Sequence, residues 1–451
     1  MWPIKTFLYF AFFCVACAAS LVNPIWGVVN YMVVYQTDPT TTWWGKPVAE
    51  LGIRFSLVAA AFTILGLITG RSRVPRAPYP FTWWHGGVIA LFCLALMNVF
   101  VGAGFGPSAE HAFNKVWKVL LFTGIFAHLA ASRQNFTIIL WTLVAGCAYI
   151  GFNAYTAPED AFLLGRLNQL GATDFSTTSG AAAFLVAMLP LIGVAFLCTE
   201  SWYARSVAVI AGALSINAVI LCRTRGAFLG LLAGLLVAFL AAPRVRRFRI
   251  HALLIAGAAG TFALTDDNFW IRMNTLTTAG SLDADPAAQA RKEIWLASVE
   301  ILADHPFGVG VGNFTEVIGD YAPHHKGRSS HNSVIVAFVE LGVPGGLIFL
   351  GLVAGSLRYL RCTARMASQT ADPLRTQYMA YGLLISLITY FVASLGTQRF
   401  DCESYWWVLV LPLSLFRLAH AEATGEFRAI SYATKECEPA PARGAILVHG
   451  I

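Results

Sequence analysis

Residues 205–249 read RSVAVIAGALSINAVILCRTRGAFLGLLAGLLVAFLAAPRVRRFR. Two apolar runs, 205–222 and 226–242, are parted only by Arg223, Thr224 and Arg225, and the second run ends in a basic cluster from Pro243 to Arg249. Each run has the roughly 17 to 20 residues that a helix needs to cross hydrocarbon. In lipid no water satisfies the backbone, so each run must close its hydrogen bonds within itself as a helix. The pair reads as a helical hairpin, and the basic cluster marks its cytoplasmic end. The rest of the chain repeats this pattern. Of 451 residues, 57% are hydrophobic and 12% charged, whereas about a quarter of an ordinary soluble domain is charged. Length alone would suggest about three soluble domains, but apolar runs recur from residue 6 to residue 420 with no long polar linker. The chain therefore reads as one all-α polytopic membrane protein, and a soluble enzyme is excluded.

Twelve spans are expected, near residues 5–22, 51–69, 83–101, 116–131, 135–154, 180–198, 205–222, 226–242, 250–265, 332–356, 377–396 and 404–420. The stretch from Pro24 to Tyr35 is too short to cross, and its Trp26, Tyr31 and Tyr35 suit an interfacial or re-entrant segment. With the N-terminus in the cytoplasm, eighteen of the 31 Lys and Arg fall inside. The densest clusters, Gly70 to Arg76 and Pro243 to Arg249, fall there too, as the positive-inside rule asks. No small-residue cleavage site follows Asn23-Pro24, so the first run reads as a retained span rather than a signal peptide. The formal charge of +7 sits in short clusters between apolar runs, which signals topology and not nucleic acid. The nine cysteines have no zinc spacing. Cys14 and Cys17 form a C-x-x-C inside an apolar run, where it is simply one helix face.

The outer side then receives everything chemically unusual. It holds the loop from Ala157 to Ser179, the 223–225 hairpin, the 65-residue loop from Asp266 to Ser330, and Gln398-Arg399-Phe400-Asp401. Connections beyond about 15 residues are usually functional or disordered, and this long loop is not disordered in composition. From Pro286 to Ala303 it reads as an amphipathic helix, with Ile294, Trp295, Val299 and Leu302 at helical spacing. It then turns through Gly308, Gly310 and Gly312. Three parts follow: spans over 1–204, a core over 205–420 that includes the loop 266–330, and a disordered cytoplasmic tail over 421–451.

Arg225 opens a helix at the outer face, where a guanidinium can grip a phosphate through two parallel hydrogen bonds as Lys cannot. The alternative is an anchor that snorkels to lipid headgroups. Arg223 points to another side, so at most one of the two faces a cavity. Arg291 shares a helix face with Trp295, four residues on, against the plain reading of a solvated surface arginine. Arg166 and Arg399 are weaker candidates of the same kind. His331, with Asn332, stands where the long loop re-enters the membrane; an imidazole with a pKa near ~6.5 can serve there as general base. A capping or interfacial histidine is the alternative. Glu340 lies nine residues further, on the order of 13 Å deeper at about 1.5 Å per residue. An ionisable group at that depth faces a polar cavity, or packs near the break at Pro344-Gly345-Gly346. Adjacent His324 and His325 cannot face one ion and lack a carboxylate cluster, so no metal is expected. Asp283 and Asp285 read as a helix-start signal.

Taken in order, Arg223-Thr-Arg225-Gly226, Arg291-Lys-Glu-Ile-Trp295, His305-Pro306-Phe307-Gly308-Val-Gly310-Val-Gly312-Asn313-Phe314, and His331-Asn332 with Glu340-Leu-Gly342 resemble the C-terminal core of the O-antigen ligase and polymerase superfamily. The resemblance covers about residues 205 to 356; the N-terminal half matches only in its span pattern. It implies a GT-C type fold in the bacterial inner membrane. It also implies transfer of a glycan from an undecaprenyl-diphosphate carrier to an acceptor hydroxyl on the periplasmic side, with no cofactor. Arg225 and Arg291 would bind the diphosphate, and His331 would be the base or orient the acceptor. Arg223, Arg166, Glu340 and Asn332 are further substrate-binding candidates. The loop holding Gly165-Arg166 and Thr173-Asp174 lacks the Pro-Asn pair associated with the family, which weakens Arg166. Two arginines beside a leaving diphosphate stabilise its charge as a metal would. The expected acceptor is lipid A-core, as for a ligase; a polymerase or a protein O-oligosaccharyltransferase would use the same donor. From another class, a transporter or flippase would also suit twelve spans, but those folds often show two similar halves, and one long outer loop breaks that symmetry.

Overall fold

Each of the twelve stretches expected to span is helical in the computed structural model, which describes residues 3–426 except 70–76, 79–80, 164, 169, 171, 173, 176, 275 and 277–285. The helices are α1 (Ile4–Val22), α2 (Ile25–Thr37), α3 (Lys46–Ala49), α4 (Phe55–Ile68), α5 (Trp83–Val101), α6 (Pro107–Leu129), α7 (Arg133–Tyr155), α8 (Thr178–Cys198) and α9 (Trp202–Cys222). They continue as α10 (Arg225–Leu240), α11 (Arg247–Leu264), α12 (Asp267–Asn274), α13 (Pro286–Asp304), α14 (Phe314–Tyr321), α15 (Ser333–Met366), α16 (Pro373–Ser394) and α17 (Glu403–Thr424). Between α7 and α8 an antiparallel ribbon, β1 (Phe162–Leu163) with β2 (Arg166–Leu167), pairs Leu163 with Arg166. Among the described residues, seven helices are long and apolar enough to cross a membrane, and an eighth counts if α11 and α12, bent by 103°, form one broken span. The basic stretch 70–76, Asp283, Asp285 and the tail from 427 onward lie outside the described residues.

Helix starts are written locally. Ser132, Thr177 and Ser201 cap α7, α8 and α9, each side chain accepting from the backbone N–H three residues on, which satisfies a donor that the first helical turn leaves open. At the centre α8 packs against α7, α9, α10 and α16. Its Ala181, Ala182 and Ala183 are fully buried, since small side chains let helices approach closely where hydrophobic driving force is weak.

The segment after Pro24 corrects the expected topology. It is the helix α2, and ten of its 13 residues are buried. At one end of the bundle Thr6 Oγ1 donates to the Trp44 carbonyl, Lys5 lies 5.8 Å from the Trp43 ring and Tyr9 packs on Phe55 at the start of α4. At the other end Thr69 Oγ1 donates to the Leu21 carbonyl at 3.3 Å. Hence α1 and α4 run parallel, and α2 is the return leg between them. Asn30 of α2 donates to the Phe13 carbonyl at 3.2 Å, and Tyr35 reaches Asp174, ahead of α8, at 2.8 Å. The N-terminus therefore lies at the end of the bundle that carries the long loop, and Lys5 leaves the inner group of basic residues. A 13-residue helix is short for lipid, but protein surrounds this one, so its length is not set by the bilayer. The cluster Arg244 to Arg249 stays at the opposite end, where α10 gives way to α11.

The long loop is ordered around α13. Ile294, Ala297 and Ile301 bury against Phe314, Val317 and Ile318 of α14 and Val339 of α15. Of the four apolar positions at helical spacing, Ile294, Trp295, Val299 and Leu302, only Ile294 is in the packed face, and Val299 is 67% exposed. The glycine segment after α13 docks into a break in α15. Val309 and Gly310 donate to the carbonyls of Val339 and Glu340 at 2.9 and 3.0 Å, and Val343 donates to Pro306 at 2.9 Å. The break is at Gly342, with φ of 72°, rather than at Pro344-Gly345-Gly346, which is helical.

Candidate active site

The turn between α9 and α10 separates the two arginines that frame it. Arg223 ends α9 in a left-handed conformation, with φ of 47°. Its guanidinium donates to the Gly165 carbonyl and pairs with Asp266, so it ties the ribbon loop to the start of α12. Arg225 is the first residue of α10 and faces inward instead. The two part company because they sit on different helices, not on different sides of one.

Arg225 lines a polar cavity of about 70 Å³ with Arg166, Arg272, Arg291, Ser179 and Thr397. Five separate elements bring these residues together: β2, the start of α8, the start of α10, α12 and α13. The turn after α16 closes the remaining side. Among the described residues, no acidic side chain lines this cavity. Burial, and then the charges of Arg272, Arg225 and Arg291, push the Arg166 guanidinium below its usual pKa. The four guanidinium groups concentrate positive charge on this cavity.

Two apolar cavities flank the arginines. One, of about 770 Å³, lies between α10, α13, α15 and α16; Arg225 and Arg291 stand at its edge, with Trp295, Val299 and Phe338 along its wall. The exposed stripe of α13 is thus the lining of a cavity rather than a packed core. The other, of about 540 Å³, is walled by α8, α9, α10, α11, α12 and α16 and meets the polar cavity at Thr224.

His331 stands at the top of a small arch. Its own backbone is left-handed, with φ of 51°, which a residue with a Cβ adopts at a cost. Its N–H donates to Ser329 Oγ at 3.3 Å, while Ser330 Oγ accepts from the Asn332 N–H at 3.3 Å. The residue is exposed, yet burial of one part of its surroundings, and then the charge of Arg291, holds the imidazole below its usual pKa. Asn332 caps α15, its Oδ1 accepting from Val334 and Ile335 at 2.9 and 3.2 Å. Glu340 is buried and accepts from the backbone amides of Gly312 and Phe314; it lines neither the polar cavity nor the apolar ones. His325 pairs with Glu293 at 2.6 Å. Among the described residues, no group of three His, Cys, Asp or Glu side chains gathers as metal ligands would.

Residues 210–350 match the family model described as O-antigen ligase. No curated protein matches the chain. Arg225, Arg272, Arg291, His331 and Glu340 fall inside the matched stretch, and Arg166 and Thr397 fall outside it. The cavity is therefore completed by parts of the chain that the match does not cover.

Arg272 escaped sequence reasoning. It sits on an eight-residue helix, α12, whose alternation of Phe269, Trp270 and Met273 with polar residues was the available signal. A second omission is the polar network around Lys115. Its ammonium bridges Asp174 at 2.6 Å and Asp401 at 3.0 Å. Arg399, a sequence candidate, is buried in this network, donating to the Asp174 carbonyl at 2.8 Å. Despite its burial, Asp174 is held below the usual carboxylate pKa by Lys115 and Arg399. Its partners come from α2, α6 and the α16–α17 turn, a convergence that no single stretch of sequence displays.

Proposed function

We propose that this protein transfers a glycan from undecaprenyl diphosphate to a hydroxyl of lipid A-core, on the periplasmic face of the bacterial inner membrane. The observation that carries the reading is the convergence of Arg166, Arg225, Arg272 and Arg291 on one polar cavity with apolar cavities on either side. A lipid diphosphate has that pattern of charge and hydrocarbon.

In the reaction the acceptor oxygen forms a bond to the anomeric carbon of the glycan. The bond from that carbon to the diphosphate oxygen breaks, and its electron pair leaves with the diphosphate. Guanidinium groups stabilise the charge that accumulates there through forked hydrogen bonds. The proton of the acceptor hydroxyl passes to the imidazole of His331, which is near enough to Arg291 to feel its charge. An imidazole with a lowered pKa stays neutral near pH 7 and so remains able to accept a proton.

The cavity of about 770 Å³ beside Arg291 favours an acceptor that carries hydrocarbon. Lipid A-core and a second lipid-linked glycan share that property, so a polymerase is the second reading. The test is transfer in vesicles containing the purified protein, a lipid-diphosphate glycan donor and either lipid A-core or donor alone. Product on lipid A-core, retained after chelation of divalent metals and lost in Arg291→Ala, is expected. Chain lengthening with donor alone selects the polymerase, and activity that returns only with one divalent metal overturns the arginine mechanism.

A further inference from the structure

We propose that Trp295 and Gln398 are positioning residues that clamp His331 from two sides and so hold the imidazole in its working place. The inference rests on the proposed function, in which His331 takes the acceptor proton. The indole Nε1 of Trp295, on α13, donates to the Ser330 carbonyl at 3.0 Å. From the α16–α17 turn Gln398 Oε1 accepts from Ser329 Oγ at 3.1 Å, and that Oγ accepts the N–H of His331 at 3.3 Å. The residues before and after His331 are tied as well: Ser330 is fully buried, and Asn332 is fixed as the cap of α15.

These ties are what a left-handed histidine needs. At φ of 51° the backbone would relax toward the ordinary regions unless its neighbours over-determined it. The clamp also spans the site. Trp295 and Arg291 lie on one helix and line the same apolar cavity, and Gln398 lies in the turn that supplies Gly396 and Thr397 to the polar cavity. Trp295, which lines the apolar cavity, and Gln398, next to a residue that lines the polar one, therefore set where the imidazole stands. A shift on the order of 1 Å in a reacting group can cost about 100-fold in rate, so loosening either side should be visible in turnover.

The experiment uses the full-length protein in vesicles. Trp295→Phe keeps the ring and removes the N–H; Gln398→Leu removes the acceptor, and Gln398→Glu restores one. Turnover is expected to fall about tenfold or more in Trp295→Phe and Gln398→Leu, with donor affinity unchanged within about twofold, and to recover in Gln398→Glu. In a His331→Ala background neither substitution should lower the residual rate further, because residues that act through one group are not additive. Losses that multiply in that background, a parallel loss of donor affinity, or unchanged turnover in the two single variants overturns the clamp while leaving His331 in its role. Full turnover in His331→Ala alone overturns that role and the clamp with it.

Discussion

Arg225, Arg291 and His331 divide the work of the proposed site between holding the leaving group and moving a proton, and the two tasks fail differently. A guanidinium offers a planar fork that an ammonium lacks, and one charged hydrogen bond contributes about 1.5–3 kcal/mol. Arg225→Lys and Arg291→Lys should therefore weaken donor binding by about 10- to 100-fold even though the charge is kept. His331→Ala should leave donor binding near normal and reduce turnover by about 10²- to 10⁴-fold, the usual worth of a positioned base. Comparing donor affinity with turnover in the three variants decides the assignment, and loss of donor binding in His331→Ala would move the histidine among the diphosphate ligands. The same residue sets a pH dependence. Burial and Arg291 hold the imidazole below the ordinary 6.5, so as pH falls its neutral form persists past that value. The acid limb of kcat/KM, which reports the free enzyme, should accordingly lie below pH 6.5 and vanish in His331→Ala; a limb above 6.5 would point to another base. At this scale the sequence was informative where residue type alone limits the chemistry. Arg225, Arg291 and His331 were legible as polar residues at a water boundary, whereas Arg272 was not, because nothing near it in the chain shows that α12 folds back over Arg225.

Among the elements, the glycine segment Gly308-Val-Gly310-Val-Gly312 and the break in α15 define each other. A Cβ on Gly342 would lie 2.4 Å from the Phe307 carbonyl carbon, and its φ is 72°. Gly342→Ala should therefore lower the melting temperature in detergent, since the left-handed conformation alone costs about 1–2 kcal/mol with a Cβ. Gly351 lies further along α15 with nothing near its Cβ direction, and Gly351→Ala should raise stability by up to about 1 kcal/mol. Equal effects in the two would show that helix propensity, not the docked segment, governs α15. Glu340 belongs to this joint, its carboxylate meeting the amides of Gly312 and Phe314. Sequence reading located the glycines and Glu340 separately and could not see that they meet, because the partners are about thirty residues apart and join through backbone atoms. The α13 stripe shows the same limit. Its apolar periodicity was plain, but which half of a broad apolar surface packs and which half lines a cavity depends on where α14 and α15 stand.

For the whole molecule, the sharpest prediction concerns sides. In a background without the nine native cysteines, Lys5→Cys and Ala290→Cys should react with an impermeant thiol reagent from the same side of the membrane, and Arg247→Cys only from the other. Labelling of Lys5→Cys together with Arg247→Cys would make α2 a surface segment after all and restore the N-terminus to the opposite end. The sequence by itself determined that the chain is helical and embedded, since apolar runs of span length leave the backbone no other way to satisfy its hydrogen bonds in lipid. It also determined which end of the bundle is basic and which end carries the long loop, since charges between spans are costly to bury and therefore mark the boundaries. Tertiary structure alone decided that α2 returns through the bundle, because a 13-residue helix spans little lipid but is sheltered once α1, α4 and α7 surround it. It alone decided the site as well: Arg166, Arg225, Arg272 and Arg291 share one cavity only because β2, α10, α12 and α13 converge there, and convergence is a property of packing that no local pattern of residues encodes.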